Sequence, residues 1–221
     1  MGKLIVLEGT DGSGKATQCR ALYEALTRDG YAPRKIEFPR YSEKSSALIR
    51  MYLGGDFGDR PSDVNAFAAS TFFAVDRYAS YKQDWSGFYE DGGIVLADRY
   101  TTSNAVHQGS KLPPEERKAY FQWLFDFEYR LLGLPEPDLV IYLDVPVDQT
   151  EKNMHHREAV TNTAADIHEK DTDYLRLCRI AAGEAADTFG WRRIACTENG
   201  GMRSVEAIHA DVYQAVKEIL K

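Results

Sequence analysis

Lys3-Leu4-Ile5-Val6-Leu7-Glu8-Gly9-Thr10-Asp11-Gly12-Ser13-Gly14-Lys15-Ala16-Thr17 decides the reading of this chain. The apolar run Leu4 to Leu7 is short and unbroken, as a strand buried on both faces must be. Gly9 to Lys15 then fits G-x-x-x-x-G-K, and a helical pattern follows, which is the context that motif requires. Glycines let successive backbone N–H groups converge on phosphate oxygens, and the next helix offers unsatisfied N–H groups and a partial positive charge. Lys15 adds a full charge at the terminal phosphates. Gly9, Thr10, Asp11, Gly12, Ser13, Gly14, Lys15, Ala16 and Thr17 are therefore expected to cradle a nucleoside triphosphate. The residue after the lysine ordinarily brings a hydroxyl to Mg²⁺. Here it is Ala16, so a metal is expected to lean on phosphates, water and carboxylates such as Asp11.

Outward from this loop, apolar runs alternate with helical faces. Ile94-Val95-Leu96-Ala97 ends in Asp98-Arg99, and Leu139-Val140-Ile141-Tyr142-Leu143 ends in Asp144. Lys35-Ile36-Glu37-Phe38 and Arg193-Ile194-Ala195-Cys196 are weaker strand candidates. Leu22, Ala25 and Leu26 mark a helix that Gly30 caps. Pro114 opens a helical stretch that ends at Gly133. Ser204 reads as the N-cap of a last helix with the stripe Val205, Ile208, Val212, Val216 and Ile219. Alternation of this kind predicts an α/β chain: a P-loop NTPase-type, doubly wound parallel sheet of about five strands with flanking helices. Glu8, Asp98 and Asp144 are expected to face one cleft at the strand ends. Residues 1–221 read as one domain, with a polar lid segment at about 150–173.

With 27 Lys and Arg against 34 Asp and Glu, the formal net charge is −7, which argues against a nucleic-acid-binding face. Cys19, Cys178 and Cys196 show no paired spacing, so a disulfide scaffold or zinc site is not expected. No stretch reads as a membrane span or a secretory leader. Val6 stands where a myristoylation signal at Gly2 needs Ser or Thr. A cytoplasmic location is the expectation.

Four further segments narrow the reading. They are Phe38-Pro39-Arg40-Tyr41, Phe72-Phe73-Ala74-Val75-Asp76-Arg77, Asp98-Arg99-Tyr100 with Ser103-Asn104, and Asp166-Ile167-His168-Glu169. With Glu8 to Gly12, in this order and spacing, the whole chain resembles the thymidylate kinase family. The resemblance implies transfer of phosphate from ATP to dTMP with Mg²⁺, in a homodimer. It implies that Phe73 stacks on thymine, Arg77 meets the base or its phosphate, and Arg99 holds the dTMP phosphate. Asn104 would contact the base, with Phe38, Arg40 and Tyr41 lining the nucleotide pocket. Asp11 would lie beside the sugar and the transferred phosphate, and Asp166, His168 and Glu169 near the ribose and the metal. The charges fit phosphoryl transfer, since cations must sit between two phosphates and an arginine fork bonds two oxygens at once.

The chain also departs from the family. Ala105-Val106-His107-Gln108 stands where the family often has tyrosine crowding the sugar 2′ position; His107 is the candidate for that space, and Gln108 completes the substrate set. Gly12-Ser13 carries no arginine inside the loop, so Arg157, helped by Lys152, is the candidate lid cation. Taken alone, Asp98-Arg99 reads equally well as a structural ion pair, and the Phe72-Phe73 pair as core. Two alternatives stay open: a kinase of another nucleoside monophosphate, and a nucleotide-binding regulatory protein that has lost catalysis.

Overall fold

The structure, a computed structural model, describes residues 1–161 and 172–220. Five parallel strands form the central sheet: β1 (Lys3–Glu8), β2 (Arg34–Glu37), β3 (Ile94–Asp98), β4 (Leu139–Asp144) and β5 (Arg192–Ala195). Their spatial order is β2-β3-β1-β4-β5, so the strand that feeds the glycine loop is central. Ile5 lies opposite Leu96 on one side and Leu139 on the other. The two weaker strand candidates are real, each beginning and ending one residue earlier than the apolar pattern suggests. A small antiparallel hairpin, β6 (Thr197–Glu198) with β7 (Gly201–Met202), follows β5. No apolar alternation announced it, because strands of two residues carry no period.

The helices are α1 (Lys15–Arg28), α2 (Ala47–Gly54), α3 (Ala66–Ser80), α4 (Ser86–Glu90) and α5 (Thr101–His107). They continue with α6 (Pro114–Phe125), α7 (Val147–Thr161), α8 (Thr172–Phe189) and α9 (Val205–Ile219). Successive strand residues face opposite ways, and both faces are covered. Ile5, Leu7, Leu96, Ile141 and Leu143 pack with Leu22 and Leu26 of α1 and Val212 and Val216 of α9. Leu4, Val6, Val95, Ala97 and Tyr142 pack the other way, with Val106 of α5, Phe121 and Leu124 of α6, and Cys178 and Ala182 of α8. Two-sided burial is the physical reason that β1, β3 and β4 read as unbroken apolar runs. Helices α3 and α6 each run on into a π-helical turn, at Tyr81–Trp85 and Asp126–Leu131.

Helix ends follow the sequence signals. Gly30 takes φ 89°, its N–H reaches Thr27 O at 3.1 Å, and the Tyr31 N–H reaches Leu26 O at 3.0 Å. That pair of bonds closes α1 in a Schellman motif, which needs the left-handed residue. The segment read as a lid is helical where described: residues 150–161 belong to α7, and α8 begins at Thr172. Among the described residues no helix is long and apolar enough to cross a membrane. Val205 corrects the α9 stripe: at the first turn it is 46% exposed, while Ile208, Val212 and Val216 are buried. Ser204 is the N-cap, its hydroxyl accepting the Ala207 N–H at 3.1 Å. Ser204→Ala should therefore lower unfolding free energy by about 1 kcal/mol, read as a shifted urea midpoint at unchanged slope.

Candidate active site

The glycine loop joins the end of β1 to α1. Gly12 and Gly14 take φ 77° and 90°, left-handed values that favour glycine. At Gly12 there is a second constraint, because an added Cβ would meet Thr150 O of α7 at 2.4 Å. The loop and α7 are thus in direct contact, and Asn153 Nδ2 donates to Gly12 O at 2.8 Å. Lys15 folds back over the loop, its Nζ donating to Gly9 O at 2.8 Å and to Thr10 O at 2.9 Å. Gly14 caps α1 without a side-chain bond, and Ser13 Oγ is buried with no partner among the described residues. Burial pushes the Lys15 ammonium down to about 8, and the Arg99 guanidinium adds to that push. An uncapped helix start, an orphaned hydroxyl and two mutually repelling cations together make a site that an anion would relieve.

Arg99 follows β3 with φ 68°, a left-handed value for a residue with a Cβ. Such strain costs on the order of 1–3 kcal/mol and persists only where surrounding bonds fix it. The bonds are on hand. Its N–H donates to Leu7 O at 3.1 Å. Its guanidinium pairs with Asp11 of the loop, lies 3.7 Å from Glu8 Oε1, and meets Ser103 Oγ at 3.4 Å and His107 Nε2 at 3.1 Å. Glu8 is fully buried and anchors the other side, accepting the Gly9 N–H at 2.9 Å and the hydroxyls of Thr102 and Ser103 at 2.7 Å each. Loop, β3 end and α5 are tied together through these two side chains. Asp144, at the end of β4, is held by Arg179 of α8 at 3.0 Å.

The other expected site residues divide. The Phe38 N–H donates to Asp98 O at 3.1 Å, which sets the Phe38–Tyr41 segment beside Arg99. Phe38 itself is core, 6% exposed with its ring 6.0 Å from that of Tyr100, whereas Tyr41 is exposed. Arg40 is held by Asp76, through its backbone N–H at 2.8 Å and its Nε at 3.4 Å. Phe73 is half-buried, edge-on to Tyr52 with ring centroids 6.3 Å apart. Arg77 and Asn104 are buried and both bond Glu128, so the fork expected at a ligand serves an internal carboxylate. Gln108 is wholly buried, and neither atom of its amide has a partner among the described residues. Arg157 lies where only the backbone of α7 is described, and Asp166, His168 and Glu169 lie outside the described residues. Among the described residues no cluster of three His, Cys, Asp or Glu is placed to hold a metal ion. Sequence reading gave no role to Glu128, Asp76 or Lys111; their partners are far along the chain, so no local pattern marks them.

His107 is the best-defined departure from the family pattern. Arg99 can only donate, so His107 Nε2 accepts, which puts the ring proton on Nδ1, 3.6 Å from Cys178 Sγ. Burial holds the imidazole down at about 3, with Arg99 adding to the effect. The native ring therefore stays neutral while the unfolded ring takes a proton below about 6.5. The unfolded state binds the extra proton, so stability falls as pH drops from about 6.5 toward 3, by up to about 1.4 kcal/mol per unit. His107→Gln should flatten that acid limb, measured as urea midpoints across that pH range; an acid limb as steep as that of the parent chain would contradict it.

The sequence model of the thymidylate kinase family matches residues 7–212. The chain is 32% identical over 192 residues to the thymidylate kinase of Mycobacterium tuberculosis, covering 86% of this chain and 88% of that one. It is 30% identical over 219 residues to a probable thymidylate kinase of Pyrococcus horikoshii, covering 99% and 98%. The thymidylate kinase of Homo sapiens is 28% identical over 223 residues, covering 96% and 88%. A solved structure of thymidylate kinase from Candida albicans shares the fold with a TM-score of 0.73 at 19% identity, over 98% of this chain and 92% of that one. Matched from the glycine loop to the last helix, this chain belongs to the thymidylate kinase family.

Proposed function

We propose that this chain transfers the γ-phosphoryl group of ATP to dTMP, giving dTDP and ADP. The observation that carries the reading is that Lys15 and Arg99, the latter from the end of β3, converge on one loop, Lys15 donating to Gly9 O and Thr10 O and Arg99 pairing with Asp11. A triphosphate on the loop and a monophosphate on Arg99 would bring two anions to this pair of cations. An oxygen of the dTMP phosphate forms the new bond to the γ-phosphorus as the bond to the β,γ-bridging oxygen breaks. The acceptor oxygen is already anionic, so no strong base is required; positioning and charge neutralisation supply the catalysis. Asp11 fixes Arg99, and Arg157 with Lys152 would add charge from the lid as it closes and excludes water.

Magnesium fits in a limited way. Mg²⁺ is commonly held by substrate phosphates and water with one or two carboxylates, and it neutralises phosphate charge. Ala16 offers it no oxygen, so Asp11, with Glu169 from outside the described residues, is the proposed protein contribution. A regulatory binder without catalysis is disfavoured, because binding ATP alone calls for no second cation at the end of β3. Phe73 against Tyr52 offers an aromatic edge for a pyrimidine. The three cysteines are free and buried, in keeping with a reducing cytoplasm.

A homodimer is part of the proposal. Phe67, Val75 and Tyr78 on one side of α3 are 43%, 53% and 40% exposed, and Trp123 of α6 packs on Phe67. An apolar strip of this kind calls for a cover. Val75→Glu should turn a dimer into a monomer in sedimentation at micromolar concentration; a wild-type monomer would contradict the assembly. The activity itself is tested by coupled ADP detection with dTMP, dUMP, dCMP and dGMP. The highest kcat/KM is expected with dTMP, and either no turnover or a preference for another monophosphate would overturn the reading.

A further inference from the structure

Glu128 lies in the π-helical turn after α6 and is fully buried. Its carboxylate accepts from Arg77 Nε at 2.6 Å and Arg77 Nη2 at 2.5 Å, from Thr101 Oγ1 at 2.8 Å, and from Asn104 Nδ2 at 3.3 Å. Asn104 Nδ2 also donates to Ser70 O at 3.2 Å. An amide nitrogen carries two N–H groups, and both are used here. Both partners are acceptors only, a carboxylate and a backbone carbonyl. The orientation of the amide is therefore dictated by its surroundings, since a flipped group would set oxygen against oxygen. What Asn104 has left to offer is Oδ1, an acceptor, and among the described residues nothing bonds it.

We infer that Glu128 is a specificity-determining positioning residue, which locks the Asn104 amide so that it presents only an acceptor and thereby selects a pyrimidine with an N3–H over one with a bare N3. The inference rests on the proposed function, in which Asn104 meets the base. Thymine and uracil carry a proton on N3 and complement the oxygen. Cytosine carries a lone pair there and would face it acceptor to acceptor, leaving two polar atoms unpaired in a buried site. The lock also explains why Arg77 is turned inward: its fork neutralises the carboxylate that holds the amide. A buried ion pair that serves stability alone would leave base preference untouched when disturbed, and that difference is measurable.

The test is equilibrium binding of dTMP, dCMP and N3-methyl-dTMP to the full chain by calorimetry, independent of turnover. The parent chain should bind dTMP at least about tenfold more tightly than either other nucleotide, one hydrogen bond's worth of discrimination. In Glu128→Gln the amide keeps Ser70 O but loses the carboxylate, so one acceptor-only partner holds it where there were two, and the preference for dTMP over dCMP should fall. Asn104→Ala leaves the Arg77–Glu128 pair in place and should shrink it likewise, which covers the case in which Glu128→Gln does not fold. Dissociation constants for N3-methyl-dTMP equal to those for dTMP in the parent chain would overturn the inference. So would a folded Glu128→Gln chain, or an Asn104→Ala chain, with the parent's preference. A parent chain that binds none of the three overturns the proposed substrate and this inference with it, whereas preference kept in the variants overturns this inference alone.

Discussion

Arg99 sits where three segments of chain end, and a buried network of opposite charge and hydroxyls holds it there. The sheet delivers it to the end of β3, next to the end of β1, because those strands pair in parallel register. Asp11, Glu8, Ser103 and His107 then surround one guanidinium. The left-handed backbone at Arg99 is tolerated because so many bonds depend on it. Without that pairing the glycine loop would keep its shape but lose its register to α5. The phosphate loop and the opposite wall of the cleft are thus one rigid unit, as preorganised electrostatics requires.

Sequence alone made the glycine loop legible and left the opposite wall of the cleft partly dark, for a physical reason. The glycine loop is dictated by contacts within a few residues: its dihedrals, the strand before it and the helix after it. The loop stands where that reading put it, between β1 and α1, with left-handed glycines at 12 and 14. The parallel sheet is equally readable, since burial on both faces writes an unbroken apolar run. The pocket wall is different. Arg77 and Asn104 were visible as residues, but their partner Glu128 lies 51 and 24 positions further on. It follows an aromatic-rich helix that has no acidic pattern. Which way a fork or an amide points is a property of packing between α3, α5 and α6, and no local period encodes it. Phe38 likewise has the right type and place for a pocket, yet its ring is spent on Tyr100.

The network around His107 shows how a local substitution is absorbed. A histidine in a buried, cation-rich place would be costly if charged, so the structure keeps it neutral and uses both ring nitrogens, one toward Arg99 and one toward Cys178. Its backbone carbonyl accepts from Tyr174 at 2.7 Å and Ser110 at 2.8 Å. Helices α5 and α8 are thereby joined beside the cleft. Lys111 performs a similar service nearby, reaching Tyr52 Oη at 2.8 Å and Val64 O at 2.9 Å. Burial lowers its ammonium to about 7.

The clearance at Gly12 sets how closely α7 can sit on the loop. Thr150 O stands where the first carbon of any side chain would go, so α7 can press on the loop only while that position is bare. A side chain at that position would have to push α7 away from the loop and break the bond from Asn153 to Gly12 O. The bare residue at 12 and the closely seated α7 are therefore two halves of one feature. A change in one calls for a matching change in the other.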